Sequence, residues 1–146
     1  MPMSSRPRYS VDDCVVKNLP KHMRPNGNLT VVENNYSIPF DVERVYYLYD
    51  VPAGEERGGH AHKELQQFVI AVSGSFDVNI DDGRERKTVT LNRPSKGLHI
   101  RPGIWRELNN FSSGAVCLVL ASHHYDEDDY IRDYKAFVEY IKEELP

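Results

Sequence analysis

The sequence predicts an all-β domain closed by a single C-terminal α-helix, and three observations carry that prediction. From Leu29 to Leu120 the chain breaks into short runs rich in Val, Ile, Tyr and Phe, separated by Gly, Pro, Asn or Asp, the punctuation of a many-stranded antiparallel domain. Within runs the facing alternates, as in Phe76, Val78 and Ile80 against Asp77 and Asn79, so a strand offers one face to a core. After Ser122 the period changes: in DEDDYIRDYKAFVEYIKEEL the residues Ile131, Tyr134, Phe137, Val138 and Ile141 recur at helical spacing.

Taken in order, the candidate strands are LTVVE, ERVYYLYDV, LQQFVIAVS, SFDVNID, RKTVTLN, GLHIRP and AVCLVLAS, with Asp82-Gly83 as a hairpin turn between two of them. So many short strands at this spacing form a β-sandwich or barrel. The closing helix is expected to carry its acids in the first turn, where the macrodipole favours them, and to pack its tyrosines on the barrel. Residues 1–25, with Pro2, Pro7, Pro20 and Pro25, are set apart as an N-terminal arm. That arm is either loose or pairs with the domain, residues 26–146, or with a second subunit.

Composition excludes several classes. The 146 residues suit one domain, and 40% apolar with 27% charged residues is ordinary for a soluble globular chain. No run approaches the roughly 20 apolar residues of a membrane span, and MPMSSRPRYS has no apolar stretch behind its basic residues; a cytoplasmic location is expected, with no membrane partner. A net charge of −4 argues against nucleic acid as a partner, since such binding rests on neutralising phosphates. A small anionic ligand needs only a few local arginines and stays open. Cys14 and Cys117 lack the short spacing of a zinc or redox motif, and Cys117 reads as core.

The sharpest motif is Gly54-Glu55-Glu56-Arg57-Gly58-Gly59-His60-Ala61-His62. Two histidines at i and i+2 on a strand project from one face with Cα atoms roughly 6.5 Å apart, so both imidazoles share one environment. Taken alone, such a pair reads equally well as two surface histidines beside a turn. Its context, Gly54 and then five residues before His60 and His62, followed by Gln67 and Gly74, resembles the first sequence motif of the cupins. A glutamate ligand is usual where Gln67 stands, and a neutral amide is a poor substitute for it. The segment GLHIRPGIWRELNN, from Gly97 to Asn110, resembles the second motif, with Arg106 where a histidine ligand is usual. A guanidinium repels a cation, so no metal or other cofactor is expected, although His99 lies close enough in sequence to stand in as a ligand.

Without a metal, histidine remains the side chain best suited to take and return a proton near neutrality. Removing a proton beside a carbonyl makes an enolate, which needs donors on the developing oxyanion; Tyr46 and His62 are the available types. Arg44, Arg57 and Arg106 have the fork geometry for a diphosphate, and Trp105, the only tryptophan, fits either the core or a ligand wall.

IPFDVERVYYLYDV, RGGHAHKELQQ, DDGRERKTVTL, GLHIRPGIWREL, NNFSSGAVCLVLAS and YDEDDYIRDY together resemble the sugar 3,4-ketoisomerases of the cupin superfamily, the WxcM-like group, over roughly residues 26–142. The resemblance implies a small, metal-free cupin jelly-roll β-barrel, a homodimer that exchanges N-terminal strands, and action on the nucleotide sugar dTDP-4-keto-6-deoxyglucose in amino-sugar biosynthesis. By position, His60 becomes the catalytic base, His62 its partner in the site, and Tyr46 and Arg57 substrate contacts. It also makes Arg106 and Asn26 variable positions tied to the configuration at C4, with both gluco and galacto outcomes open. His99 stands where tyrosine is familiar, and Arg101 replaces a small residue. The implied mechanism is an enediol shuttle: His60 takes the C3 proton and returns a proton to C4. Three rival functions are a 3,5-epimerase of dTDP-sugars, a metal-dependent dioxygenase or isomerase, and a non-catalytic sugar-binding cupin.

Overall fold

The computed structural model describes residues 6–145; the first five residues of the expected arm and Pro146 lie outside the described residues. Twelve strands are present among them, β1 (Val16–Asn18), β2 (Lys21–Arg24), β3 (Gly27–Thr30), β4 (Arg44–Leu48), β5 (Arg57–His62), β6 (Gln67–Ser73), β7 (Phe76–Asp81), β8 (Arg86–Leu91), β9 (Lys96–Ile100), β10 (Trp105–Asn109), β11 (Val116–Ala121) and β12 (Tyr130–Ile131), followed by helix α1 (Tyr134–Glu144). One five-stranded sheet runs β1-β9-β6-β11-β4 and a second runs β12-β5-β10-β7-β8, while β2 and β3 form a separate hairpin. All strand pairs are antiparallel, and the two sheets close into a cupin-like jelly roll as expected.

Alternation decides what each sheet turns inward. Val69 and Ala71 of β6, Phe76, Val78 and Ile80 of β7, Leu98 and Ile100 of β9, and Cys117 and Val119 of β11 meet in the barrel core. The other face of β6, Phe68 and Ile70, packs under Leu19, Ile38 and Phe40. Burial on both faces explains why β6 reads as a continuous apolar run rather than an alternating one. Gly97 is required beside it, because a Cβ there would lie 2.1 Å from the Phe68 ring. On the outer side of the second sheet, Ala61, Trp105 and Ile131 pack against Phe137, Ile141 and Leu145 around α1. Burying a side chain such as Phe137 stabilises the domain by about 1.5–3 kcal/mol.

The expected hairpin at Asp82-Gly83 forms: Asp82 Oδ1 accepts from the N–H groups of Arg84 and Glu85, both at 2.8 Å, and Gly83 has φ +89. The arm pairs with the domain, one of the alternatives left open by the sequence: Val11 and Cys14 are in the core, β1 edges the first sheet, and the Val11 N–H donates to Asp82. Three features differ from the sequence reading. Of LTVVE, only Leu29 and Thr30 are in a strand, β3, which pairs with β2 of the arm rather than with the barrel. Trp105–Asn109 is a strand although its charged Arg106 and Glu107 hide it from a hydrophobicity reading. Finally, α1 starts at Tyr134, capped by the Asp133 carboxylate accepting from the Ala136 N–H at 3.0 Å. The preceding acids form a separate 3-10 turn, Glu127–Asp129, and Ile131 lies on β12, not on the helix.

Candidate active site

His60 and His62 follow the strand rule: both point into the barrel, with Ala61 between them turned out toward α1. Their rings meet edge to face, with centroids 4.9 Å apart. Across the ladder His60 pairs with Arg106. The ladder then slips, since Glu107 pairs with Gly58 and leaves Gly59 as the extra, bulged residue of β5; Gly58 itself has φ +88, and a Cβ there would approach the Arg106 carbonyl to 3.2 Å, so a side chain is strained at this position.

Arg106 is 1% exposed. Its Nε and Nη2 donate to the Ile104 carbonyl at 3.3 and 3.0 Å, and its Nη1 donates to Gln67 Oε1. Gln67 Nε2 then donates to the Tyr46 hydroxyl at 3.0 Å. None of the ion pairs formed by the described residues involves Arg106. Burial lowers its pKa to about 10, so it stays charged at neutral pH.

Burial, then the charge of Arg106, pushes His60 down to about 2. Burial likewise takes His62 to about 4 against the opposing pull of Asp129. Both rings are therefore neutral at pH 7. Asp129 Oδ2 lies 3.0 Å from His62 Nδ1, and its carboxylate also accepts the N–H groups of Glu64 and Leu65. A carboxylate so placed fixes the proton on Nδ1 and leaves Nε2 as an acceptor. Nε2 of both histidines is buried without a hydrogen-bond partner, as is Nε of Arg44. His60 and Arg44 line a cavity, and orphaned polar atoms on a cavity wall mark a ligand site.

The cavity holds about 590 Å³, within the range of small-molecule sites. Among the described residues its wall includes Arg44, Arg57, Arg106 and Arg132 but only one acid, Glu56, so its field suits an anion. Arg44 donates to the Tyr130 hydroxyl at 3.3 Å and lies over the Tyr46 ring, 5.3 Å from its centroid.

Seven of the ten residues expected at the site gather here: His60, Tyr46, Arg57, Arg44, Arg106 and Gln67 line the cavity, with His62 directly behind His60. Three do not. Trp105 faces outward, 5.8 Å from the Phe137 ring, with its indole N–H donated to Glu107; it is core, because it neighbours inward-facing Arg106 on an alternating strand. His99 turns away from the barrel interior, its Nε2 bonded to Gln66 at 2.8 Å and its ring against Phe40. Asn26 sits at the exposed turn between β2 and β3. The sequence reading missed Asp129, Tyr130 and Arg132. Tyr130 packs on His62 with centroids 4.3 Å apart, and Arg132 lies 4.1 Å over the Tyr130 ring. Asp133 as a helix cap was the available signal, since it leaves 130–131 free to pair with β5.

Two neutral histidines beside a phenol and a buried cation equip a barrel for proton transfer on an anionic small molecule. Comparison with known proteins narrows that class. The family described as WxcM-like, C-terminal (FdtA) matches residues 12–142, and the chain belongs to it. It is 45% identical over 126 residues, 86% of this chain and 91% of the relative, to a TDP-4-oxo-6-deoxy-alpha-D-glucose-3,4-oxoisomerase from Aneurinibacillus thermoaerophilus. A 3,4-ketoisomerase from Helicobacter canadensis superposes with a TM-score of 0.88 at 44% identity, covering 90% of this chain and 98% of the other. A mutant of the 3,4-ketoisomerase QdtA from Thermoanaerobacterium thermosaccharolyticum, solved with TDP-4-keto-6-deoxyglucose, gives 0.87 at 40% identity over 91% and 97% of the two chains.

Proposed function

We propose that this protein is a TDP-sugar 3,4-ketoisomerase that moves the keto group of TDP-4-keto-6-deoxyglucose from C4 to C3. One observation carries the reading: the unpartnered Nε2 of His60 and the Tyr46 hydroxyl open on one arginine-rich cavity, and the named relatives act on this substrate class. His60 removes the C3 proton, which the C4 ketone acidifies, while Tyr46 protonates the C4 oxygen. The enediol then loses its 3-hydroxyl proton as the imidazolium returns a proton to C4. Arg106 stabilises the negative charge that develops on oxygen. Arg44, Arg57 and Arg132 are placed for the diphosphate, whose negative charge raises the basicity of His60 once bound. The metal-free reading rests on donor chemistry, since the Gln67 carbonyl oxygen accepts from the buried Arg106 guanidinium, whose charge repels a cation.

The homodimer rests on surface: β4 is an edge strand that exposes Val45 and Tyr47, Tyr49 is exposed just beyond its end, and the β2–β3 hairpin exposes Met23 and Leu29. Sedimentation at micromolar concentration tests it, and a monomer sinks it. Among the described residues no helix is long and apolar enough to cross a membrane, and we place the enzyme in the cytoplasm with its nucleotide-sugar substrate. The deciding experiment is incubation with TDP-4-keto-6-deoxyglucose in EDTA and NMR of the product. A 3-keto sugar is expected; exchange at C3 and C5 with the carbonyl still at C4 would make the protein an epimerase.

A further inference from the structure

We propose that Gln67 is a positioning residue that sets the direction in which the Tyr46 hydroxyl gives its proton. The inference rests on the isomerase reading above and concerns a side chain both of whose polar atoms are engaged by protein. A guanidinium carries only donors, so the atom of Gln67 that meets Arg106 Nη1 is its carbonyl oxygen. The amide nitrogen is then the atom 3.0 Å from the Tyr46 oxygen, and it can only donate. Arg106 cannot swing aside to release the amide, because Nε and Nη2 are both held by the Ile104 carbonyl. Gln67 is itself 2% exposed.

A phenol has one proton and accepts as well as donates. With its oxygen accepting from Gln67, Tyr46 turns that proton away from the amide and keeps it for a ligand in the cavity that both side chains line. The chain from Arg106 through Gln67 to Tyr46 also polarises the phenol in the sense that strengthens it as a donor. The chemistry balances on one proton. His60 takes the C3 hydrogen as the C3–C4 double bond forms, and Tyr46 gives its proton to the C4 oxygen, leaving a phenolate. That phenolate accepts the 3-hydroxyl proton as the C3 carbonyl forms, and the His60 imidazolium protonates C4. Tyr46 and His60 end as they began. A glutamate at position 67 would instead accept from both neighbours and draw the Tyr46 proton out of the cavity.

The test compares Gln67→Glu, Gln67→Met and Tyr46→Phe, singly and combined, by steady-state kinetics and melting temperature. All assays contain EDTA, because a carboxylate beside His60 and His62 could capture a divalent ion. Gln67→Glu is expected to lower kcat by roughly 10²–10³-fold, the scale of a lost general acid, with KM little changed and melting temperature held by the new pair with Arg106. Gln67→Met, which leaves the phenol undirected, is expected to lower kcat about tenfold. In the Tyr46→Phe background neither change should lower kcat further. Gln67→Glu that keeps kcat within about twofold of wild type overturns the proposal. So does a loss of rate that is undiminished in the Tyr46→Phe background, or one that tracks the fall in melting temperature. If Gln67→Glu does not fold, Gln67→Met and its combination with Tyr46→Phe decide by the same criteria. Wild-type protein that binds the nucleotide sugar without turnover overturns the isomerase reading and this inference together, whereas an active wild type with an active Gln67→Glu variant overturns this inference alone.

Discussion

His62 and His99 are both buried histidines, 0% and 3% exposed, and burial takes each of them down to about 4. They differ in what their free nitrogens meet. On the outer face of β9, His99 closes a hydrogen bond to Gln66 and lies against Phe40, so its polar atom is spent on the fold. Inside the barrel, His62 is held at Nδ1 by Asp129 and leaves Nε2 unpartnered, as His60 does beside it. A depressed pKa is thus common to a structural and a functional histidine. What separates them is a buried nitrogen left unpartnered directly behind the cavity-lining His60, rather than one closed onto the fold.

The comparison breaks first at His60. His60→Asn keeps a hydrogen-bonding side chain but removes the base, and turnover is expected to fall by about 10³-fold or more while TDP affinity changes by less than about threefold. Exchange of the substrate C3 proton with deuterium, followed by NMR, is the direct measurement; exchange that survives in His60→Asn but disappears in His62→Asn would transfer the role of base to His62. A smaller effect is expected at Asp129. Asp129→Asn keeps the shape but no longer enforces the Nδ1 proton, and kcat should drop roughly 10- to 100-fold with nucleotide affinity retained. Unchanged kcat in a folded Asp129→Asn protein would leave His62 as no more than packing.

These differences were only partly legible in the sequence. The strands of the barrel were, because residues such as Phe76, Val78 and Ile80 alternate cleanly and Asp82-Gly83 marks a turn. His60 and His62 were placed together by the period of a strand, and Tyr46, Arg44, Arg57 and Arg106 came with the motifs around them. The alternation that turns Leu98 and Ile100 inward also turns His99 outward, and it separates Trp105 from Arg106 in the same way, so both corrections were available from local spacing. Asp129, Tyr130 and Arg132 were different. They reach the site because β12 pairs with β5 across more than 60 residues of chain, and no local period reports a long-range pairing. Ile131 compounded the error by falling three residues before Tyr134, so that a strand residue completed an apparent helical stripe.

The smallest expected effect on catalysis, and the sharpest control, is at His99. Replacing it by Gln removes its titration without entering the cavity, so kcat and KM should stay within about twofold of wild type. Stability should respond instead, and the sign follows from proton binding. The unfolded chain protonates His99 near 6.5 whereas the folded chain resists until about 4, so between those values the unfolded state binds more protons and stability falls with falling pH. His62 adds to the same acid limb, with a folded value also about 4. His99→Gln should therefore reduce the loss of stability between pH 7 and pH 4 by about 3 kcal/mol, a melting-temperature difference of about 6–12 °C, while carrying a smaller constant penalty at neutral pH for its altered contact with Gln66. Melting curves across that range, set beside kinetics at pH 7, separate the two histidines: a His99→Gln protein with unchanged acid sensitivity would show that His99 does not resist protonation in the folded state, and one with lost turnover would show that an outward-facing histidine bonded to Gln66 still governs the cavity.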